Sequence, residues 1–308
     1  MMQPPWRRRL RVWFTLLAIL ALAWTVRLLW NAWPELVVSF SKLQAGWLWL
    51  TLAGTVAGGY LNFEAFHALF ERSCHSRYDR LRLAHLHFTA QLMKHLPGRI
   101  WGVAYQSTTG DRATAAEWVG VTVAYMVLTT GFALWVAAIV LGYMFAWWWS
   151  VLALVTGGSA YLLIWRARPL AVLLGVSQKL PFHVFTRLGD AVRPLIAADP
   201  RFKLQVWGWF TAGWLVYLLA WAGYGLAWPD LTAADGIWLC AIYTVAWFVG
   251  YVSLFSPSGM GVRELVFVLL AHRFPPDAVA GMALLARVVL LVADVVLGVA
   301  FAPFRRVR

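Results

Sequence analysis

The chain has 308 residues, of which 62% are hydrophobic and 13% charged, against about 25% charged for a soluble domain. That composition excludes a water-soluble enzyme and leaves no polar stretch large enough to hold a separate active site. The net charge of +13 does not point to nucleic acid, because the cations are gathered in short segments between apolar runs.

Apolar runs at 12–30, 45–70, 118–141, 144–165, 204–228, 236–254 and 278–303 have close to the ~20 residues needed to cross a ~30 Å hydrocarbon core. The 21 tryptophans cluster at their ends, as at Trp30, Trp33 and Trp147 to Trp149, where amphipathic rings sit at headgroup level. Arg7, Arg8, Arg9 and Arg11 precede the first run, which has no small-residue cleavage site and reads as a retained helix. Arg72, Arg77, Arg80 and Arg82 follow the second run. Seven further cations lie in 166–203, and Arg305, Arg306 and Arg308 end the chain. The intervening loops hold Lys42 alone, or acids such as Asp230 and Asp235. By the positive-inside rule both termini are cytoplasmic, with the basic surface facing anionic lipid.

Segment 81–106 is too short and too interrupted to cross, so it is expected as a re-entrant helix–Pro-Gly–helix hairpin. A tight turn near Gly142 joins the third and fourth spans, and 166–203 lies along the cytoplasmic interface. In 256–277 the predicted helix 262–274 covers only about 20 Å, less than a full crossing. A broken crossing is favoured there, with a second re-entrant hairpin as the competitor. The expected fold class is therefore all-α: one polytopic membrane domain over 1–308, with about 7–8 transmembrane helices and one or two broken or re-entrant helices.

Two Pro-Gly breaks carry the chemistry. The first is Lys94-His-Leu-Pro-Gly-Arg-Ile-Trp101, in which Lys94 and Arg99 flank Pro97 and Gly98 and Trp101 follows. The second is Ser256-Pro-Ser-Gly-Met-Gly-Val-Arg-Glu264. There Pro257 resists helix extension, while Gly259 and Gly261 allow tight turns and close ligand approach. A helix begins near Val262, and its first N–H groups, with the Arg263 guanidinium, suit a phosphate. Glu264 favours the same helix end and is available to pair with a cation. A structural kink with an Arg263–Glu264 ion pair, or interfacial snorkelling of Lys94 and Arg99, is the competing account. The breaks resemble each other weakly, and corresponding interruptions in two halves of a chain are a pointer to a transporter site and an inverted repeat.

Glu64, Arg287 and Asp294 lie within apolar runs, where ionisable groups mark function and must be paired. Glu64 and Asp294 are candidates for charge balance or proton coupling. Arg287 and Asp294, seven residues apart, share a helix face and join one polar seam or reach different helices. The histidines lack the i, i+4 spacing of a helical metal site, and Cys74 and Cys240 form no CxxC or disulfide framework. Neither metal nor cofactor is expected.

At these residues the chain resembles the transmembrane region of lysylphosphatidylglycerol synthases, a flippase-like membrane family. Lys94, Leu96, Pro97, Gly98 and Trp101 match its first motif, and Pro257-Ser-Gly-Met-Gly-Val-Arg-Glu264 matches the second. Arg287 fits the arginine usual in its following helix. Ser258 replaces a usual glycine. The resemblance implies a bacterial inner-membrane protein that moves an anionic phospholipid or polyprenyl-linked sugar between leaflets. Arg263 and the glycine turn would hold the phosphate, with Lys94, Arg99 and Arg287 as partners. The family's aminoacyl-transfer domain is not part of this sequence, so lysyl-lipid synthesis is not expected and the lipid is left open. A non-transporting partner that presents lipid-linked substrate to a glycosyltransferase or another envelope-biogenesis enzyme is the alternative. An intramembrane transferase ranks lower, for want of a base–nucleophile pair.

Overall fold

The computed structural model describes residues 43–74, 78–95, 101–109, 113–164, 199–253, 259 and 261–306. The expected first span, most of the basic connection, and Pro97, Gly98, Arg99 and Pro257 lie outside them. The described residues form α1 (Ala45–Ser73), α2 (Arg80–Leu92), α3 (Trp101–Thr109), α4 (Ala115–Phe145), α5 (Trp147–Ile164), α6 (Pro200–Leu226), α7 (Ala233–Val252), α8 (Val262–Leu270) and α9 (Pro276–Ala300). No strand occurs among them. Three helices are long and apolar enough to cross a membrane: Glu117–Phe145, Ala233–Val252 and Ala278–Ala300.

α1 and α6 are as long, at 29 and 27 residues, but are diluted by glycine, threonine and tryptophan. Their packing explains that composition. They make the most extensive helix–helix interface, crossing where Gly58 meets Gly213. A Cβ on Gly58 would lie 2.9 Å from the Gly213 carbonyl oxygen. Small residues at such a crossing let backbones approach, which supplies the contact energy that the hydrophobic effect cannot supply within lipid. Thr51 seals the pair by donating to Trp47 O in its own helix and to Ala220 O across the interface.

Side-chain caps set several helix starts. Asp79 accepts from the Leu81 and Arg82 amides at α2, and Asp199 accepts from the Phe202 amide at α6. Thr114–Glu117 and Thr232–Asp235 form reciprocal capping boxes at α4 and α7. α4 runs to Phe145, so the turn into α5 lies at extended Ala146, four residues beyond the glycine expected to make it. Gly142 instead gives α5 room to approach, since a Cβ there would lie 2.7 Å from the Ser150 amide nitrogen.

α2 and α3 fold back on each other. α2 extends only about 20 Å, too little to cross. The entry and exit of this hairpin meet where Ala113 N–H donates to the Tyr78 hydroxyl at 3.2 Å. Its entry is tied to α1 by an Arg80–Glu64 ion pair, and Arg80 also donates to the Tyr60 hydroxyl. Buried His87 is packed by Phe63, Phe66, Phe88 and Tyr125, which fixes the hairpin against α1 and α4.

α8 stops at Leu270, four residues short of the helix predicted to Phe274. Pro275 disfavours helical backbone at the residue before it, and Arg273 folds the turn onto the start of α7. Its guanidinium lies 4.7 Å from the Trp238 ring centroid and 3.3 Å from Asp235. At the other end of α7, Gly250 touches Gly259 and Arg263. α8 and its turn therefore return along α7 over the 15 residues from 250 to 235, about 22 Å.

Two measurements test this packing. Gly58→Leu should separate α1 from α6 and lower stability by at least about 2 kcal/mol, read as a fall in melting temperature in detergent. Cys74 is buried at the end of α1, and burial, with the nearby Glu117 carboxylate, pushes its thiol up to about 12. Its alkylation at pH 8 should be roughly a thousandfold slower in the folded chain than in the unfolded one.

Candidate functional site

Both breaks deliver a cation to one cavity. A space of about 250 Å³ opens between α1, the α2–α3 hairpin, α4, α6, α7 and the start of α8, with α9 closing it. Lys94, Arg263 and Asp294 line it, although they lie far apart in sequence. Lys94 follows α2 in a 3₁₀ turn, and Arg263 is the second residue of α8.

Asp294 is held from the hairpin side. Lys94 Nζ donates to Oδ1 at 2.9 Å, and His95 Nε2 lies 2.8 Å from Oδ2. Arg263 stands where α8 begins, with its side chain against Gly250. Tyr217, on α6, lines the same cavity. Among the described residues, the wall holds two cations, Lys94 and Arg263, and one carboxylate, Asp294. In a low-dielectric surround the surplus positive charge favours one anionic group.

The glycine turn positions Arg263. Gly259 and Gly261 have φ of 74° and 79°, a region that L side chains rarely adopt. A Cβ on Gly259 would lie 2.6 Å from the Gly250 carbonyl oxygen, so the two backbones are in direct contact. Glu264 braces the turn from the other side. Its Oε2 accepts from the Gly261 amide at 2.7 Å, and its Oε1 accepts from Arg287 Nη1 at 3.0 Å. One carboxylate therefore occupies a donor of the turn and neutralises Arg287.

The sequence candidates separate into groups. Lys94, Arg263 and Asp294 come together at the cavity. Gly259, Gly261, Glu264 and Arg287 form the brace behind it. Arg287 and Asp294 share a helix but take partners on different elements, α8 and the hairpin. Glu64 is buried and bound to Arg80, outside the cavity lining. Trp101 opens α3, next to cavity-lining Gly102. Pro97, Gly98, Arg99 and Pro257 lie outside the described residues.

Other lining residues carry a weaker sequence signal. Thr55, Gly58, Gly59 and Asn62 form one α1 stripe, small and polar within an apolar run, which Phe66 continues four residues on. Tyr217, Trp247 and Tyr251 are aromatic positions that single-sequence reading assigns to the interface or core.

Compared with models of known protein families and with curated sequences, the chain matches none.

The brace is open to mutation. Glu264→Ala leaves Arg287 half-buried without its carboxylate and should cost about 2 kcal/mol or more, and Glu264→Ala with Arg287→Met should recover part of that loss. Thermal unfolding of the two variants and of Arg287→Met measures the coupling.

Proposed function

We propose that this chain is a flippase-like membrane protein that handles an anionic lipid through the cavity between its two backbone breaks. The observation that carries the reading is the convergence of Lys94 and Arg263, one from each break, on that cavity with Asp294. A guanidinium and an ammonium in a water-poor interior suit a phosphodiester, and the guanidinium can bind it through two parallel hydrogen bonds. The proposed site is Arg263 and Lys94, with Asp294 as the group that holds Lys94 when no anion is present and His95 on the other oxygen of that carboxylate.

Membership in the lysylphosphatidylglycerol synthase transmembrane family is part of this proposal and rests on the two motifs. So is a polytopic arrangement with about 7–8 crossings. The α2–α3 hairpin, whose ends meet at Tyr78 and Ala113, supports a re-entrant element. The return of α8 along α7 supports a broken crossing. Arg72 lies over Phe202, so the basic ends of α1 and α6 are together; Asp235 and Arg273 lie at the far end of α7. Under the positive-inside rule that gathering supports a cytoplasmic basic end in a bacterial inner membrane.

The test is leaflet exchange. Purified protein in liposomes with a fluorescent anionic phospholipid should accelerate its access to a membrane-impermeant quencher. Arg263→Ala should lower that rate at least about tenfold, as expected for loss of a charge-assisted contact. Unchanged exchange in a folded Arg263→Ala protein would overturn the site. Arg263-dependent lipid binding without exchange would assign the presenting role instead.

A further inference from the structure

The cavity wall also specifies what its anion must carry. Polar atoms there that are buried with no hydrogen-bond partner among the described residues include Asn62 Oδ1, the Tyr217 hydroxyl and Thr129 Oγ1. Asn62 Nδ2 is engaged, donating to Gly58 O at 2.9 Å, so the orphan on that side chain is an acceptor. A buried acceptor left unpaired costs free energy comparable to a lost hydrogen bond, so the atom is completed by a group that donates, water in the empty cavity or a donor of the ligand that displaces it. The hydroxyl of Tyr217 both donates and accepts.

Donors come from ammonium groups or from hydroxyls, and the charges decide between them. A headgroup ammonium would face Lys94 and Arg263, and the carboxylate among the described lining residues, Asp294, is already held by Lys94 and His95. Neutral hydroxyls meet no such repulsion. The rings beside these atoms fit the same chemistry. Trp247 and Tyr251 stack with centroids 5.0 Å apart and planes 12° apart, and both line the cavity. Flat aromatic faces beside amide and hydroxyl groups suit the C–H faces and hydroxyls of a polyol. The space of about 250 Å³ lies just below the roughly 300 Å³ lower end of small-molecule sites. That is room for a headgroup, with the acyl chains left outside.

We infer that the cavity selects a phosphodiester headgroup bearing free hydroxyls, such as a glycerol or a sugar, over one bearing an ammonium. This rests on the anionic-lipid reading above. In it Arg263 and Lys94 take the phosphate, while Asn62 Oδ1 accepts from a headgroup hydroxyl and the Tyr217 hydroxyl pairs with another.

The experiment is calorimetric titration of the full chain in phosphatidylcholine nanodiscs with four dihexanoyl lipids: phosphatidylglycerol, phosphatidylinositol, phosphatidylethanolamine and phosphatidylmethanol. Phosphatidylmethanol keeps the singly charged phosphodiester and lacks every hydroxyl. Phosphatidylglycerol, phosphatidylinositol or both should bind about tenfold more tightly than phosphatidylmethanol, with phosphatidylethanolamine weakest. Which of the two binds tighter tells a glycerol from a sugar headgroup. Tyr217→Phe, which removes one oxygen and keeps the ring, should erase most of the preference, read as the ratio of hydroxylated-lipid to phosphatidylmethanol affinity. Asn62→Leu should act the same way at its own atom. Equal affinity for phosphatidylmethanol and the hydroxylated lipids, still dependent on Arg263, would overturn the inference and leave the anion site standing. Tightest binding of phosphatidylethanolamine would overturn it too. Binding of no lipid in an Arg263-dependent way would instead remove the anionic-lipid reading.

Discussion

The contact between the backbones of Gly250 and Gly259 is the constraint on which the rest of the site depends. A chain that breaks its helix inside an apolar bundle must satisfy the freed backbone groups within the protein. Here the turn is pressed against α7 where neither residue has a side chain, and Glu264 takes the Gly261 amide. Those two contacts fix where α8 starts. They therefore fix the position of Arg263 and the return of the chain along α7.

The same logic assigns different work to neighbouring charges. Arg263 and Glu264 are adjacent in sequence, yet one lines the cavity while the other locks the turn and holds Arg287. Successive helical residues point about 100° apart, so a brace and a cavity-lining cation can share one short helix. On α9, the seven-residue spacing of Arg287 and Asp294 puts them on one face two turns apart, and that distance gives them different partners. Glu64 has a third role, pinning the hairpin entry through Arg80. The ion pairs at Asp294 and Glu264 are thus not equivalent. The first holds a cation that lines the cavity; the second stabilises the frame around it.

The hairpin and α8 are both too short to cross alone, and each ends or begins at the cavity with a cation. An interrupted helix can present a charged side chain at the depth of the break and keep its remaining backbone paired. A continuous helix offers the side chain but not the turn geometry that aims it. The small residues of α1 add the space: where Gly58 and Gly59 lack side chains, helices approach on one flank and the cavity opens on the other.

The sequence by itself carried the helical class, the apolar runs and most of the ionisable residues that line or brace the cavity, because these follow from composition, periodicity and the cost of charge in an apolar medium. It also carried the capping boxes of α4 and α7, which are local. Only the tertiary structure decided which charges meet. Lys94 and Asp294 are 200 residues apart, Arg287 and Glu264 are 23, and no spacing rule links either pair. It decided too that α8 ends at Leu270 and that the turn after α4 falls at Ala146, since the Arg273 contacts and the α4–α5 approach override local helix propensity. The cavity itself was not legible, because Asn62, Tyr217, Trp247 and Tyr251 look like ordinary span residues until packing brings their faces together.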